Sequence, residues 1–152
     1  MVGPVRCCER KYTMDRLTAE RRSWNMSRIR GRDTKPERRV RSVLHRLGFR
    51  FSLKRHDLPG RPDIVLSRYS TAIFVHGCFW HRHKNCRNSV VPKTRRAFWL
   101  AKLTGNVERD RRNALALRRL GWKVVTVWEC EVGNEAKLSR MLRTKLTKAQ
   151  NG

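Results

Sequence analysis

The sequence predicts an α/β domain in which a mixed β-sheet carries helices on its faces. Short apolar runs typical of strands alternate along the 152 residues with longer stretches whose apolar residues recur at helical spacing. The predicted order is α-β-β-β-α-α-β-α. A chain of this length is expected to form a single domain with a sizeable hydrophobic core.

The first predicted helix runs from Thr34 to Gly48. The run Thr-Lys-Pro-Glu that ends at Glu37 fits a capping box, in which the threonine caps a backbone amide and the glutamate reaches back. One face of this helix is apolar and consists of Val40, Val43, Leu44 and Leu47. Residues 49–53 then alternate between apolar and polar side chains, which predicts a half-buried strand.

Two strands, 64–66 and 71–75, are predicted to form a hairpin around a turn at Tyr69. If the hairpin is symmetric about Tyr69, Ser67 faces Thr71 and Asp63 faces Val75. This arrangement would place the Asp63 carboxylate near the Val75 carbonyl. Two converging oxygens are the kind of ligand set that Mg²⁺ prefers.

The second half of the chain is predicted to alternate helices with one further strand. Helices are expected over 98–103, 106–120 and 135–146, and a strand over 122–128. Gly105 is expected to separate the first two helices. Asp110 lies on the apolar stripe of the longer helix, where an unpaired carboxylate is costly, and a partner for it is therefore expected.

The charge of the chain indicates a nucleic acid as polyanionic partner. Lysine and arginine number 37 against 12 aspartate and glutamate, a net charge of +25. No apolar run reaches the roughly 18 residues that span a bilayer, and the basic start has no apolar signal segment. We expect a cytoplasmic protein with a flexible basic arm, 1–22, in which Met14 is an alternative start, ahead of a single domain, 23–152.

Cysteine and histidine cluster between Phe74 and Cys86 at spacings typical of a zinc site. The five cysteines are odd in number and scattered, which argues against a disulfide framework. Thiolate and imidazole suit zinc, and the predicted ligands are Cys78, His83, Cys86 and the remote Cys130. His76 is an alternative to His83, because the sequence alone does not order the imidazoles. His81 is left over and is a candidate for chemistry.

The adjacent Phe79 and Trp80 lie in a loop flanked by glycine and histidine, so both rings cannot easily point inward. Together with Trp99 they suit stacking on bases or wedging between them. Glu37 admits two interpretations, a helix cap or an active-site acid, because a helix N-terminus favours a carboxylate in either case.

Five ordered blocks of residues carry a resemblance to a known family. The chain resembles the very short patch repair (Vsr) mismatch endonucleases over roughly residues 20 to 132. The blocks that carry it are 61–63, 76–83, 98–100, 106–112 and 127–130.

The resemblance implies a restriction-endonuclease-like fold and a DNA mismatch endonuclease. Such an enzyme nicks one strand 5′ of the thymine in a T:G mismatch left by deamination of 5-methylcytosine, with catalytic Mg²⁺. By resemblance, Asp63 and the Val75 carbonyl bind Mg²⁺ and His81 is the general base. The other implied residues are His76, Glu37 and Asp110 in the active site, Cys78, His83, Cys86 and Cys130 on zinc, and Phe79, Trp80 and Trp99 in the DNA.

The implied partner is double-stranded DNA with a T:G mismatch, with mismatch-repair proteins and a DNA polymerase as further partners. We expect a monomer, because nicking one strand requires one active site, in the bacterial cytoplasm at the nucleoid. Two alternatives are a non-catalytic zinc-stabilised nucleic-acid-binding module and a restriction endonuclease on the same fold. The binding module would leave Asp63 and His81 without a role.

Overall fold

The computed structural model describes residues 18–28 and 31–147, which divide into two compact units at residues 31 and 32. The first unit contains helix α1, Ala19–Ser27. The elements of the second unit are α2 (Lys35–Arg46), β1 (Ile64–Leu66), β2 (Thr71–His76), α3 (Arg96–Arg119), β3 (Lys123–Trp128) and α4 (Glu135–Thr147). Most of the predicted arm lies outside the described residues, and its boundary with the domain stays a prediction.

Helix α1 was not expected from the sequence, because its nine residues contain few apolar side chains. Thr18 accepts a hydrogen bond from the Arg21 amide at 3.3 Å. The Arg28 guanidinium lies 4.2 Å from the ring centroid of Trp24, whose side chain is half exposed. Local capping and a cation–π contact therefore support this helix.

Helix α2 confirms the predicted helix and its cap. The Thr34 side chain accepts a hydrogen bond from the Glu37 amide at 3.4 Å. The Glu37 carboxylate in turn accepts hydrogen bonds from the Asp33 amide at 2.8 Å and the Thr34 hydroxyl at 2.9 Å. Gly48 follows the helix with a φ of +85°, a left-handed conformation that glycine adopts without steric cost.

The sheet is mixed, as predicted, with strand order β1-β2-β3. Strand β1 runs antiparallel to β2, and β2 runs parallel to β3. The parallel pair requires a crossover connection, which α3 supplies. His76 lies opposite Trp128 where β2 and β3 both end, so the loops that follow them leave from the same edge of the sheet.

The predicted register of the β1–β2 hairpin is wrong by one residue. Leu66 lies opposite Thr71 and Ile64 opposite Ile73, so neither the Ser67–Thr71 nor the Asp63–Val75 pairing occurs. The connection is a 3₁₀ turn over 67–69 followed by Ser70 in the left-handed region, with a φ of 45°. This turn is not symmetric about Tyr69.

Two further expectations about secondary structure are also wrong. Residues 49–53 do not form a strand, since only Ser52 pairs with the sheet, through a single bridge to Val65. Helix α3 continues through Gly105, because one glycine costs a helix only about 1 kcal/mol relative to alanine. The 24-residue helix absorbs that cost by burying Leu103 and Leu117.

Helices cover both faces of the sheet. The larger core cluster joins α2 and α4 to one face, with Val40, Leu44, Ile73, Val127, Leu138 and Leu142 among its buried members. The smaller cluster joins α3 to the other face and contains Leu58, Val65, Ala72 and Leu117. The predicted inward face of the last helix is confirmed by the burial of Leu138, Leu142 and Leu146.

Candidate active site and metal centre

Asp63 immediately precedes β1 and is fixed to the neighbouring strand. One of its carboxylate oxygens accepts a hydrogen bond from the Val75 amide at 2.7 Å. A strand residue directs its N–H and C=O to the same side, so the Val75 carbonyl also faces the β1 side of β2. The two residues therefore meet despite the different register, and the contact runs through the amide rather than the expected carbonyl.

Burial raises the pKa of Asp63 to about 6. The hydrogen bond from Val75 opposes this shift, and the negative charge of Glu37 adds to it. The positive charges of His81 and Arg41 lower the pKa by smaller amounts. A carboxylate in such surroundings is costly to ionise and gains from a nearby cation.

The position of Glu37 fits both interpretations left open by the sequence, a helix cap and an active-site acid. Its side chain is 8% exposed and caps the start of α2 through Asp33 and Thr34. Its charge also acts on Asp63, which brings the second carboxylate into the same region.

His81 and Asp110 form a directly bonded pair. The Nδ1 atom of His81 lies 2.5 Å from a carboxylate oxygen of Asp110. Because an ionised carboxylate only accepts, Nδ1 carries the hydrogen and Nε2 is the nitrogen left to accept a proton. Asp110 thus has the partner that its place on an apolar stripe requires.

His76 lies flat against His81, with ring centroids 3.8 Å apart and planes 4° from parallel. Burial lowers the pKa of His76 to about 4, a charge on His81 lowers it further, and Asp110 opposes the shift. The potential metal-ligand atoms of His76, His81 and Asp110, a ring nitrogen or a carboxylate oxygen, all lie within 4.8 Å of one another. The imidazole of His81 is therefore held by a carboxylate at one atom and by a neutral ring across its face.

Three sulfurs and one imidazole converge beyond the end of β2. The ligand atoms of Cys78, His83, Cys86 and Cys130 lie within 4.8 Å of one another. His83 Nδ1 is 3.7 Å from the Cys78 sulfur and 3.4 Å from the Cys130 sulfur. Tetrahedral zinc with its usual bond lengths separates a nitrogen and a sulfur ligand by about 3.6 Å.

The cluster is therefore compatible with structural zinc, and its imidazole comes from His83, not from the alternative His76. Burial raises the pKa of the Cys78 thiol to about 12 and also raises that of Cys130. Zinc binds thiolates, so loading the site displaces these protons and depends on pH. The ring of His83 is stacked on Trp128 at 4.2 Å, which fixes its orientation.

The three aromatic residues expected to enter DNA come together as one cluster. Phe79 lies 5.1 Å from Trp80 and 5.5 Å from Trp99, and the two tryptophans are 6.1 Å apart, all edge-to-face. All three are half-buried. The Lys102 ammonium lies 5.6 Å from Trp80 and 5.8 Å from Trp99.

The sequence analysis missed Asn106 and Trp128. The Asn106 side chain donates a hydrogen bond to the Trp80 carbonyl at 3.1 Å. Asn106 lies on the same face of α3 as Trp99 and Asp110. This spacing would have identified Asn106 if the sequence had been read as one continuous helix through Gly105. No local signal identifies the role of the Trp128 ring, since the ring contacts His76 and His83, which are distant in the sequence.

Comparison with known proteins places this site in context. The model of the family "DNA mismatch endonuclease Vsr" matches residues 14–88. The type II nicking enzyme V.XorIIP of Xanthomonas oryzae pv. oryzae is 47% identical over 132 residues, covering 87% of this chain and 96% of that protein. The DNA mismatch endonuclease Vsr of Escherichia coli K12 is 49% identical over 118 residues, covering 78% of this chain and 75% of that protein.

A further relative and a solved structure agree with these matches. The type II nicking enzyme V.NmeAIP of Neisseria meningitidis serogroup A is 44% identical over 133 residues, covering 85% of this chain and 94% of that protein. The catalytic domain of homing endonuclease I-Bth0305I has a similar fold, with a TM-score of 0.53 at 21% identity, covering 76% of this chain and 97% of that domain. The expected endonuclease-like α/β fold is confirmed. None of the helices described here is long and apolar enough to cross a bilayer.

Proposed function

The chain belongs to the Vsr family of DNA endonucleases, and from that premise we propose that it nicks one strand of duplex DNA 5′ of the thymine in a T:G mismatch. Such mismatches arise when 5-methylcytosine is deaminated. The observation that carries the proposal is that three features come together where β2 ends and α3 passes beside it. These are the half-buried Asp63 carboxylate, the His81–Asp110 pair and the three-ring cluster.

Asp63 and the Val75 carbonyl would hold the catalytic Mg²⁺. Both donors are oxygens, which suit a hard cation, and the burial that raises the pKa of Asp63 makes its charged form gain from a cation bound nearby. Mg²⁺ bound here would supply charge stabilisation at the phosphate and at the leaving 3′ oxygen. Glu37 would set the local charge and orient the start of α2.

His81 would be the general base that takes a proton from the attacking water. Its Nδ1–H is engaged by Asp110, so Nε2 is the nitrogen left to accept the proton. Asp110 fixes the tautomer and stabilises the imidazolium that forms. His76 would keep the His81 ring from turning, because the two rings are in face-to-face contact.

Mismatch selection would rest on Phe79, Trp80 and Trp99. Inserting a ring between base pairs requires unstacking, which costs a few kcal/mol per step. A T:G pair stacks and pairs less well than a Watson–Crick pair, so insertion there costs less. The edge-to-face packing of the three rings supports their acting as one wedge.

Zinc on Cys78, His83, Cys86 and Cys130 would hold together the loop that carries these groups. The loop between the first three ligands also contains Phe79, Trp80 and His81. Cys130 lies two residues after the end of β3, so the ion would tie the loop to the sheet.

Several broader expectations remain proposals with this function. We propose a basic arm over 1–22, a single endonuclease domain over 23–152 and a monomeric enzyme in the bacterial cytoplasm at the nucleoid. The nick would then pass to mismatch-repair proteins and a DNA polymerase.

The deciding experiment is strand-resolved cleavage of end-labelled duplexes that contain a T:G or a C:G pair, with Mg²⁺ added or omitted. We expect a Mg²⁺-dependent nick 5′ of the mismatched thymine, absent in Asp63→Ala and His81→Ala. Binding without cleavage on any duplex would favour the nucleic-acid-binding module. Cleavage of both strands of matched DNA would favour a restriction endonuclease.

A further inference from the structure

A hollow of about 430 Å³ lies between the zinc-ligand loop and the outer side of α3. The loop contributes Arg82, Lys84, Asn85 and Ser89, and the helix contributes Thr104 and Val107. The zinc ligands His83 and Cys86 form part of its wall. Neither Asp63 nor His81 lines it, so this loop hollow is separate from the proposed cleavage site.

The side chains of the loop hollow that are not zinc ligands and are polar suit an anion. Arg82 and Lys84 are exposed, and within residues 18–28 and 31–147 neither has a carboxylate within ion-pair distance. Asn85, Ser89 and Thr104 add an amide and two hydroxyls. Among the described residues, no aspartate or glutamate lines the hollow. Two cations with neutral donors around them are the usual surroundings of a bound phosphate.

The backbone holds these groups in place at a steric cost. Arg82 and Asn85 have φ angles of 48° and 56°, in the left-handed region that residues with a Cβ seldom adopt. Backbone hydrogen bonds from the Arg82 amide to the Phe79 carbonyl at 3.4 Å and from the His83 amide to the Cys78 carbonyl at 2.9 Å close the turn. The backbone of the turn that carries Arg82 is therefore held by the fold.

We propose that the loop hollow binds a backbone phosphodiester of the DNA substrate at a position other than the scissile phosphate. The inference rests on the proposed function, since it concerns the DNA which that function requires. Arg82 directly follows His81 in the same loop. A phosphate of the bound strand held by Arg82 would thus lie near the proposed cleavage site and would fix the register of the strand.

A rival role for the two cations is to neutralise the zinc site, where three thiolates exceed the charge of Zn²⁺ by one. The two roles differ in what the variant loses. Cations that serve the thiolates would be needed for zinc affinity. Cations that bind phosphate would be needed for DNA affinity, in zinc-loaded protein.

The first arm of the test compares Arg82→Ala/Lys84→Ala with Arg118→Ala/Arg119→Ala, which removes the same charge from the exposed last turn of α3. Arg118 is 14 residues from Thr104, or about 21 Å along the helix and beyond the Debye length. Binding of zinc-loaded protein to a T:G duplex is measured over a range of salt, without Mg²⁺. We expect the log–log slope to fall by about 0.9 in the loop variant only, because that variant no longer neutralises one phosphate.

The second arm replaces single phosphates of the duplex by neutral methylphosphonates. One position should weaken binding of the native protein and of the α3 variant, and leave the loop variant unaffected. Equal slope changes in both variants, loss of zinc from the loop variant, or no such position would each overturn the proposal. Nicking is assayed separately, so a protein that binds without cutting the T:G duplex would refute the proposed function and leave this test intact.

Discussion

The rings of His83 and Trp128 lie face to face, with centroids 4.2 Å apart and planes 7° from parallel. Trp128 also meets His76 edge-on at 5.5 Å, and His76 is stacked on His81 at 3.8 Å. Four rings therefore connect the candidate zinc ligand to the proposed general base. This packing gives a physical reason for a zinc site in an endonuclease, because the ion fixes the first ring of the series.

We predict that Trp128 positions the two histidines without contacting DNA. In Trp128→Leu the flat surface is removed, and we expect kcat for nicking to fall about 10- to 100-fold, as for other residues that orient reacting groups. DNA affinity and zinc content should stay near those of the native protein. Trp128→Phe keeps an aromatic face and should recover most of the activity. Zinc loss in proportion to activity loss would show a purely structural role.

Asp110→Asn should reduce nicking about 10²- to 10⁴-fold. The amide can donate as well as accept, so it no longer imposes a hydrogen on His81 Nδ1 or stabilises the imidazolium. Single-turnover rates and DNA affinity should be measured together, and the affinity should not fall. Glu108→Gln, on the exposed side of the same helix, is the matched control and should retain its rate within about twofold. A similar loss in both variants would contradict this account.

The candidate site shows which features can be predicted from the sequence and which cannot. The Thr34–Glu37 cap and the Cys78–Cys86 spacing are local, so their chemistry can be read from neighbouring residues. That Asp110 has a partner could be predicted, since an apolar helical stripe does not tolerate an unpaired carboxylate. Its identity as His81 could not, because 29 residues separate the two.

The misjudged features depend on tertiary packing. Gly105 is a helix breaker by propensity, yet burial of Leu103 and Leu117 keeps α3 continuous. The β1–β2 register depends on the 3₁₀ turn that is followed by Ser70 in the left-handed region. The turn contains no glycine or asparagine that would have predicted this conformation. Asp63 still meets Val75 because its side chain spans the one-residue difference.

Asp63→Asn should abolish nicking and also stabilise the zinc-loaded protein in the absence of Mg²⁺ above pH 6. The folded pKa of about 6 exceeds the unfolded value near 3.9, so the folded state binds the proton more tightly. The resulting stability is present in full below pH 4 and is lost as the pH rises through 6. Two pKa units correspond to about 3 kcal/mol, an upper bound for the gain of the variant at pH 8.

Denaturant unfolding of both proteins at pH 4 and pH 8 measures this difference. Asp57→Asn is a control of opposite sign, because the hydrogen bond from Arg55 lowers the pKa of Asp57 to about 2. The stability due to that pair is present above pH 4 and is lost as the pH falls through 2. An Asp63→Asn variant that is no more stable than the native protein at pH 8 would show that this carboxylate carries no desolvation cost.

Zinc stoichiometry should distinguish the two candidate imidazoles. His83→Ala and Cys130→Ala each remove a ligand, and we expect the bound zinc to fall well below one per chain after dialysis, with a lower melting temperature. His76→Ala should keep its zinc, because His76 belongs to the group with His81 and Asp110. Retention of stoichiometric zinc in Cys130→Ala would remove Cys130 from the site.

Trp80→Ala should reduce discrimination between mismatched and matched DNA more than it reduces binding. Ring insertion costs less at a T:G pair than at a C:G pair, by part of the few kcal/mol that unstacking requires. Without the Trp80 ring, this difference in cost between the two duplexes is lost. We expect the ratio of kcat/KM on T:G and C:G duplexes to fall about 10- to 100-fold, since each 1.4 kcal/mol is tenfold. Phe98→Ala, which removes a 46% exposed ring packed edge-on at 5.4 Å against Trp99, is the control and should keep the ratio. If Trp80→Ala lowers kcat/KM equally on both duplexes, the ring contributes general affinity and the wedge account fails, because a wedge must act through the difference between the two base pairs.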